Sequence, residues 1–159
     1  MRKKENFHDY AISAYKHWAG KGCPTYDEAV NRVYTHALSK TGNKNPKEAV
    51  TFAETEVERA SAVLSDILAC ETVFREFERT GNGLICDAVR EIYMVQPHKP
   101  LRANDITHRV IAFSLKVPLS ERQVYRYLAR AREAFALVRN LRNDTEDDEW
   151  KNQSLSCLN

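Results

Sequence analysis

Glycine and proline are scarce, with five of each among 159 residues, and most of them fall between amphipathic stretches. That distribution suits an all-α chain with short connections, and no segment carries the two-residue alternation of a strand. No run approaches the roughly 18 consecutive apolar residues of a membrane span, so no membrane partner is expected. Met1–Glu5 is charged with no apolar stretch behind it, unlike a secretory signal. Cys23, Cys70, Cys86 and Cys157 are scattered without any short pair spacing, which reads as reduced thiols of a cytoplasmic protein. Catalytic motifs are missing too. The sequence holds no glycine-rich phosphate loop, no Gly-x-Ser-x-Gly and no His-Glu-x-x-His. Cys23, His17 and His36 fit no zinc spacing, and Glu54 and Glu58, four apart, read as solvated helix surface. A non-enzyme without cofactor, metal or catalytic residue is the expectation.

What the chain does have is amphipathic helix. With 43% apolar residues it can build a core. Phe7–Ala19 is the first helix: Asn6 precedes it, and Phe7, Tyr10, Ala11, Ala14 and Trp18 recur at three- and four-residue steps until Gly20. The second, Tyr26–Lys40, opens on a Thr25/Glu28 capping box and closes near Gly42. The third is read as one long element, Pro46–Arg79, capped by Asn45 with Glu48 completing a box and ended by Gly81. At a rise of about 1.5 Å per residue it would reach about 50 Å, more than a small globule needs. Either it breaks near Ser61–Ser65, or its length serves a helix-to-helix homodimer. Its apolar stripe is interrupted by Glu71. Gly83–Val95 is the fourth helix, and the segment 96–101, with Pro97 and Pro100, stops it. Asp105–Lys116 and Ser120–Arg142 complete the set. The expected organisation is a helical N-terminal region over 1–81, a helix-turn-helix domain over 82–142 and an acidic tail over 143–159.

Net charge is only +2, and it is unevenly spread. Residues 1–98 are nearly neutral. Lys99–Arg142 holds 10 basic residues against Asp105, Glu121 and Glu133, a surplus of +7, and the last 17 residues carry −4. Concentrated positive charge on a short segment is the footprint of a polyanion, here double-stranded DNA. Asp144–Glu149 is expected to be loosely ordered and to shield that basic surface.

The last two helices, joined through Val117-Pro118-Leu119, have the layout of a helix-turn-helix. Ser120-Glu121-Arg122-Gln123 reads as a further capping box. Beyond it Val124, Leu128, Ala131, Phe135 and Val138 form the stripe expected to be buried. Arg122, Arg126 and Arg130 stand four apart on the other side. A recognition helix enters the major groove by its N-terminal turns, which places Glu121, Arg122, Gln123 and Arg126 at base edges. Arginine can pair with guanine, glutamine with adenine, and glutamate can accept from cytosine. Ser120 and the free N–H groups around it suit a phosphate oxygen. Arg102, Arg109, Lys116, Arg130 and Arg132 are candidates for backbone contacts.

The stretch Leu119–Phe135, LSERQVYRYLARAREAF, is similar to the last helix of sigma-factor region 4 domains, with Ser120, Val124, Leu128 and Ala131 in the matching frame. It also resembles the C-terminal part of small phage-encoded transcription regulators of Gram-positive bacteria, the RinA-like and ArpU-like families. The resemblance covers roughly residues 84–142, and only the final helix is specific. It implies promoter or operator binding, with RNA polymerase as a further partner and Glu121, Arg122, Gln123 and Arg126 reading DNA. Region 4 domains usually carry a Glu-Ile-Ala helix about eight residues before that serine. Here Asp105-Ile106 lies farther upstream, and no region 2 is present, so promoter melting by this chain alone is not implied. A non-catalytic helical interaction protein, such as a phage packaging or assembly adaptor, is the alternative reading.

Overall fold

A computed structural model describes residues 7–42 and 45–141; the tail 143–159 lies outside them. Among the described residues the chain forms seven helices and no strand: α1 (Phe7–Gly20), α2 (Tyr26–Ser39), α3 (Pro46–Arg59), α4 (Ser61–Arg79), α5 (Gly83–Ile92), α6 (Ala103–Lys116) and α7 (Glu121–Arg139). The all-α expectation holds. No helix among the described residues is long and apolar enough to cross a membrane.

Local chemistry sets most of the boundaries. Thr25 and Glu28 form the expected reciprocal box, with Glu28 N–H donating to Thr25 Oγ1 at 3.2 Å. At α3 the Asn45 side chain accepts from Lys47 N–H at 3.0 Å, so the cap closes on the second helical residue instead of on Glu48. α1 runs through Gly20. The chain reverses just after it, where Gly22 takes φ +83° and Cys23 N–H returns to the Trp18 carbonyl at 2.9 Å. α7 ends in a similar way on a non-glycine residue. Asn140 sits at φ +53°, and Leu141 N–H reaches the Ala136 carbonyl at 2.9 Å, so the helix stops at Arg139, short of the expected Arg142.

The long third helix is two. The chain turns at Ala60, whose ψ of 7° departs from helical geometry, just before the anticipated Ser61–Ser65. The reason lies in the partners. α3 lies against α2, burying Ala53, whereas α4 sends Leu64, Ile67, Cys70, Val73 and Phe74 into the main core. A single straight rod could not satisfy both. With the break, the extra length that suggested a dimer is gone. Glu71, the polar interruption of the stripe, has a task of its own. Its carboxylate accepts from Tyr26 N–H at 2.7 Å, tying the start of α2 to α4, and also pairs with Arg75.

α7 is the centre of the molecule and packs on α1, α4, α5 and α6. Val124, Leu128, Ala131 and Phe135 are fully buried. Phe135 lies between Tyr10 and Tyr15, at ring distances of 6.1 and 5.6 Å, and Tyr15 in turn meets Phe74 at 5.8 Å. The Tyr15 hydroxyl donates to the Ala131 carbonyl at 2.8 Å, so α1 is both packed and hydrogen-bonded to the middle of α7. The core is therefore continuous across residue 81 and joins the regions 1–81 and 82–142.

Two truncations should rank by mechanism. Phe135→Ala removes a ring from the aromatic junction and should cost about 3–5 kcal/mol. Tyr15→Phe loses one hydrogen bond and should cost about 1 kcal/mol. Urea unfolding of both variants measures the two values, and equal losses would contradict a core organised around Phe135.

Candidate nucleic-acid interface

The segment that carries the positive charge is built on α6 and α7. Asp105 caps α6 by accepting from Arg102 N–H at 3.0 Å, which starts that helix at Ala103. Val110 and Phe113 are buried and Ile106 packs beside them, so the expected apolar face forms. α6 stops where Val117 turns extended before Pro118. A tight turn follows, with Leu119 N–H on the Val117 carbonyl at 2.6 Å. Val117 and Leu119 both pack against the core and hold the connection down. Ser120 then caps α7: its Oγ accepts from Gln123 N–H at 3.1 Å, one half of the expected box.

On α7 the outer face is polar and charged as far as Glu133. Glu121, Arg122 and Arg126 are exposed in the first two turns, Gln123 is half-buried, and Arg130 is exposed one turn on. The Arg130 guanidinium lies over the Phe77 ring at 5.8 Å, a cation–π contact that anchors it to the end of α4. Glu133 and the strongly exposed Leu137 follow on the same side. The buried stripe is shorter than the sequence suggests. Val138 is exposed, because the last turn is gripped on its Ala136–Arg139 side.

Arg139 itself is no free surface arginine. Its Nε donates to Asp66 Oδ1 at 2.7 Å, both side chains are at most a quarter exposed, and the Tyr10 hydroxyl donates to the same carboxylate at 2.9 Å. This cluster clamps the end of α7 to α1 and α4.

Three other expected contact residues are engaged by the fold, Arg109 and Arg132 half-buried and Lys116 at the surface. Arg109 is half-buried and donates to the Ile92 carbonyl at 2.8 Å, satisfying an orphan acceptor at the end of α5. Lys116 pairs with Glu91. Arg132 donates to the hydroxyl of the buried Tyr93 at 2.7 Å. Arg102 is exposed at the head of α6. The structure thus brings Ser120, Glu121, Arg122, Gln123, Arg126 and Arg130 onto the N-terminal half of α7 and its cap, while Arg109 and Lys116 bond to groups of α5.

The pattern of ion pairs sharpens this division. Arg59, Arg75, Arg79, Arg90, Lys116 and Arg139 each lie within ion-pair distance of a carboxylate. Arg102, Arg122, Arg126 and Arg130 have no such partner among the described residues. Their charge is left to act outward.

Cys70 and Cys86 are fully buried, as their apolar settings suggest. Burial pushes the Cys86 thiol up to about 11 and Cys70 higher still, so both are protonated and inert at neutral pH. No group of three His, Cys, Asp or Glu side chains among the described residues converges as a metal site. One exposed feature is invisible in the charge pattern: Ile111 and Leu115 stand one turn apart on α6, Leu115 at 83% exposure.

Arg139 and Arg122 should therefore behave differently in stability. Arg139→Ala should destabilise the fold by about 1–2 kcal/mol, since it strands the half-buried Asp66 carboxylate. Arg122→Ala should stay within about 0.5 kcal/mol of the parent. Thermal denaturation of the two variants is the check, and equal midpoints would contradict the clamp.

No family model, curated protein or solved structure matches this chain.

Proposed function

We propose that this chain is a double-stranded DNA-binding protein that reads its site with the first turns of α7 and regulates transcription. The observation that carries the reading is the set Arg122 and Arg126, exposed on successive turns at the start of a helix whose inner face is buried, with no carboxylate within ion-pair distance among the described residues. α6 and the connection through Ser120 supply the preceding helix and the turn of a helix-turn-helix. In such a motif Glu121, Arg122, Gln123 and Arg126 meet base edges, and the N–H groups at Ser120 meet a phosphate. Arg102 and Arg130 are the phosphate contacts on either side. Arg109 bonds to the Ile92 carbonyl and Lys116, though exposed, pairs with Glu91, so both are engaged by α5 before DNA arrives. The similarity of Leu119–Phe135 to sigma region 4 and to phage regulators supports transcription as the process, a cytoplasmic setting, and RNA polymerase as a further partner.

A second reading draws on Leu115 and Leu137, at 83% and 73% exposure. Leucines this exposed suit a protein partner, as in a non-catalytic assembly or packaging adaptor, with the arginines serving non-specific nucleic acid.

Selection from a random duplex library followed by anisotropy titration separates the two. Arg126→Ala should weaken binding to the selected site by about 1–3 kcal/mol and relax the preference at one base pair. Lys47→Ala on α3, remote from α7, should change neither. Recovery of no preferred site, or an Arg126→Ala loss equal on selected and scrambled duplexes, would favour the adaptor.

A further inference from the structure

A second group of unpaired cations gathers from residues that lie, apart from Lys99, outside the basic segment that the sequence points to. Lys16 lies near the end of α1, and its Nζ donates to the Lys99 carbonyl at 2.8 Å. Arg32 of α2 donates from Nη1 to the Lys21 carbonyl at 3.0 Å. Between them the loop after α5 packs on α1 so closely that a Cβ on Gly20 would lie 3.3 Å from His98 Cε1. Lys16, Lys21, Arg32 and Lys99 are thus drawn together from three parts of the chain, with His98 among them. None of the four has a carboxylate within ion-pair distance among the described residues. Lys21, Arg32 and Lys99 are exposed, while Lys16 is half-buried.

Packing sets where this group lies relative to α7. Tyr10 meets Phe135 and Tyr15 meets Ala131, so α1 runs antiparallel to α7. α4 runs the same way as α1, with Asp66 at Arg139 and Phe77 at Arg130. The end of α1 that carries Lys16 and is followed by Lys21 therefore points toward the half of α7 that carries Arg122, Arg126 and Arg130. Arg102, three residues after Lys99, lies between the two groups along the chain. The structure brings together positive charge that the sequence distributes over distant segments.

We propose that Lys21, Arg32 and Lys99, supported by Lys16, form a second contact site for the phosphate backbone of the duplex that α7 reads. This inference rests on the DNA-binding reading. A recognition helix covers only a few base pairs, and phosphate contacts at a distance fix the orientation of the protein on the duplex without carrying sequence information. Four like charges held close without counter-charges repel one another, and a polyanion relieves that repulsion while releasing its own counterions. An alternative origin of the lysines is compensation of the negative end of the α1 dipole. That role predicts a stability effect and no effect on DNA binding.

The test is the salt dependence of binding to a duplex of about 25 base pairs. The triple variant Lys21→Ala/Arg32→Ala/Lys99→Ala should show a slope of log K against log salt shallower than the parent's by about 2 to 3, close to one for each phosphate that is no longer neutralised. Its loss of affinity should be the same on a selected and a scrambled duplex. A control with the same change in charge, Arg59→Ala/Arg75→Ala/Arg79→Ala, removes cations already paired with glutamates. Its slope should match the parent's. An unchanged slope in the first triple variant overturns the proposal, and so does an equal change in both, which would reflect net charge alone. If the first variant is unfolded by circular dichroism, Lys99→Ala alone decides. The side chain of Lys99 is exposed, and only its carbonyl accepts from Lys16. A slope shallower by about 1 supports the second site, and an unchanged one overturns it. Failure of the unaltered protein to bind any duplex would instead overturn the DNA-binding reading beneath it.

Discussion

α7 has to be both the middle of the core and part of the outer surface. Its inner face seats Phe135 among Tyr10 and Tyr15, and Tyr15 reaches across to bond the Ala131 carbonyl. Everything else is arranged around that junction: α1 and α4 lie antiparallel to α7, and α5 and α6 close its remaining sides. A helix held on so many sides cannot rotate or slide without opening the core. Whatever its outer face presents is consequently fixed in space before a partner arrives. For a group of arginines this matters, since ordering long side chains and a mobile backbone together would consume much of the binding free energy.

Charge is sorted with the same economy. Arg59 on α3, Arg75 and Arg79 on α4 and Arg90 on α5 are matched to glutamates or aspartates three or four residues away on the same helix. Exposed pairs of this kind add little stability and leave little field outside. The exposed arginines of α7's first turns, Arg102, and the cations around the end of α1 are left unmatched. Surface potential thus follows from where carboxylates are absent as much as from where arginines are present. A net charge of +2 hides this, because it adds matched and unmatched charges alike.

Features with a local cause were legible in the sequence. The Thr25/Glu28 box, the Ser120 cap, the stop at Pro118 and the buried series Val124–Leu128–Ala131–Phe135 each depend on residues within a turn or two. Features set by a distant partner were not. Nothing local marks Arg139 as the mate of Asp66, 73 residues away, or Arg109 as the cap of α5. Both look like surface arginines until the helices are packed. The break at Ala60 is similar: a three- and four-residue rhythm that continues through Ala60 cannot show that its two halves face different neighbours. Glu71 gave a hint, being polar within an apolar stripe, and its purpose became plain only with Tyr26 beside it. The Lys16–Lys99 contact bridges two segments that the charge profile counts separately, and the Arg32–Lys21 contact adds a cation that the near-neutral balance of residues 1–98 conceals.

The central claim is that the first two turns of α7 form the surface that meets DNA. Backbone amide shifts of isotope-labelled protein, followed during titration with a duplex carrying the preferred site, test it most directly. The account predicts that the largest changes cluster at Ser120–Arg126, with the buried amides of Leu128–Phe135 nearly unmoved. Changes concentrated on α3 or on the Ile111–Leu115 face of α6, with Ser120–Arg126 silent, would contradict it.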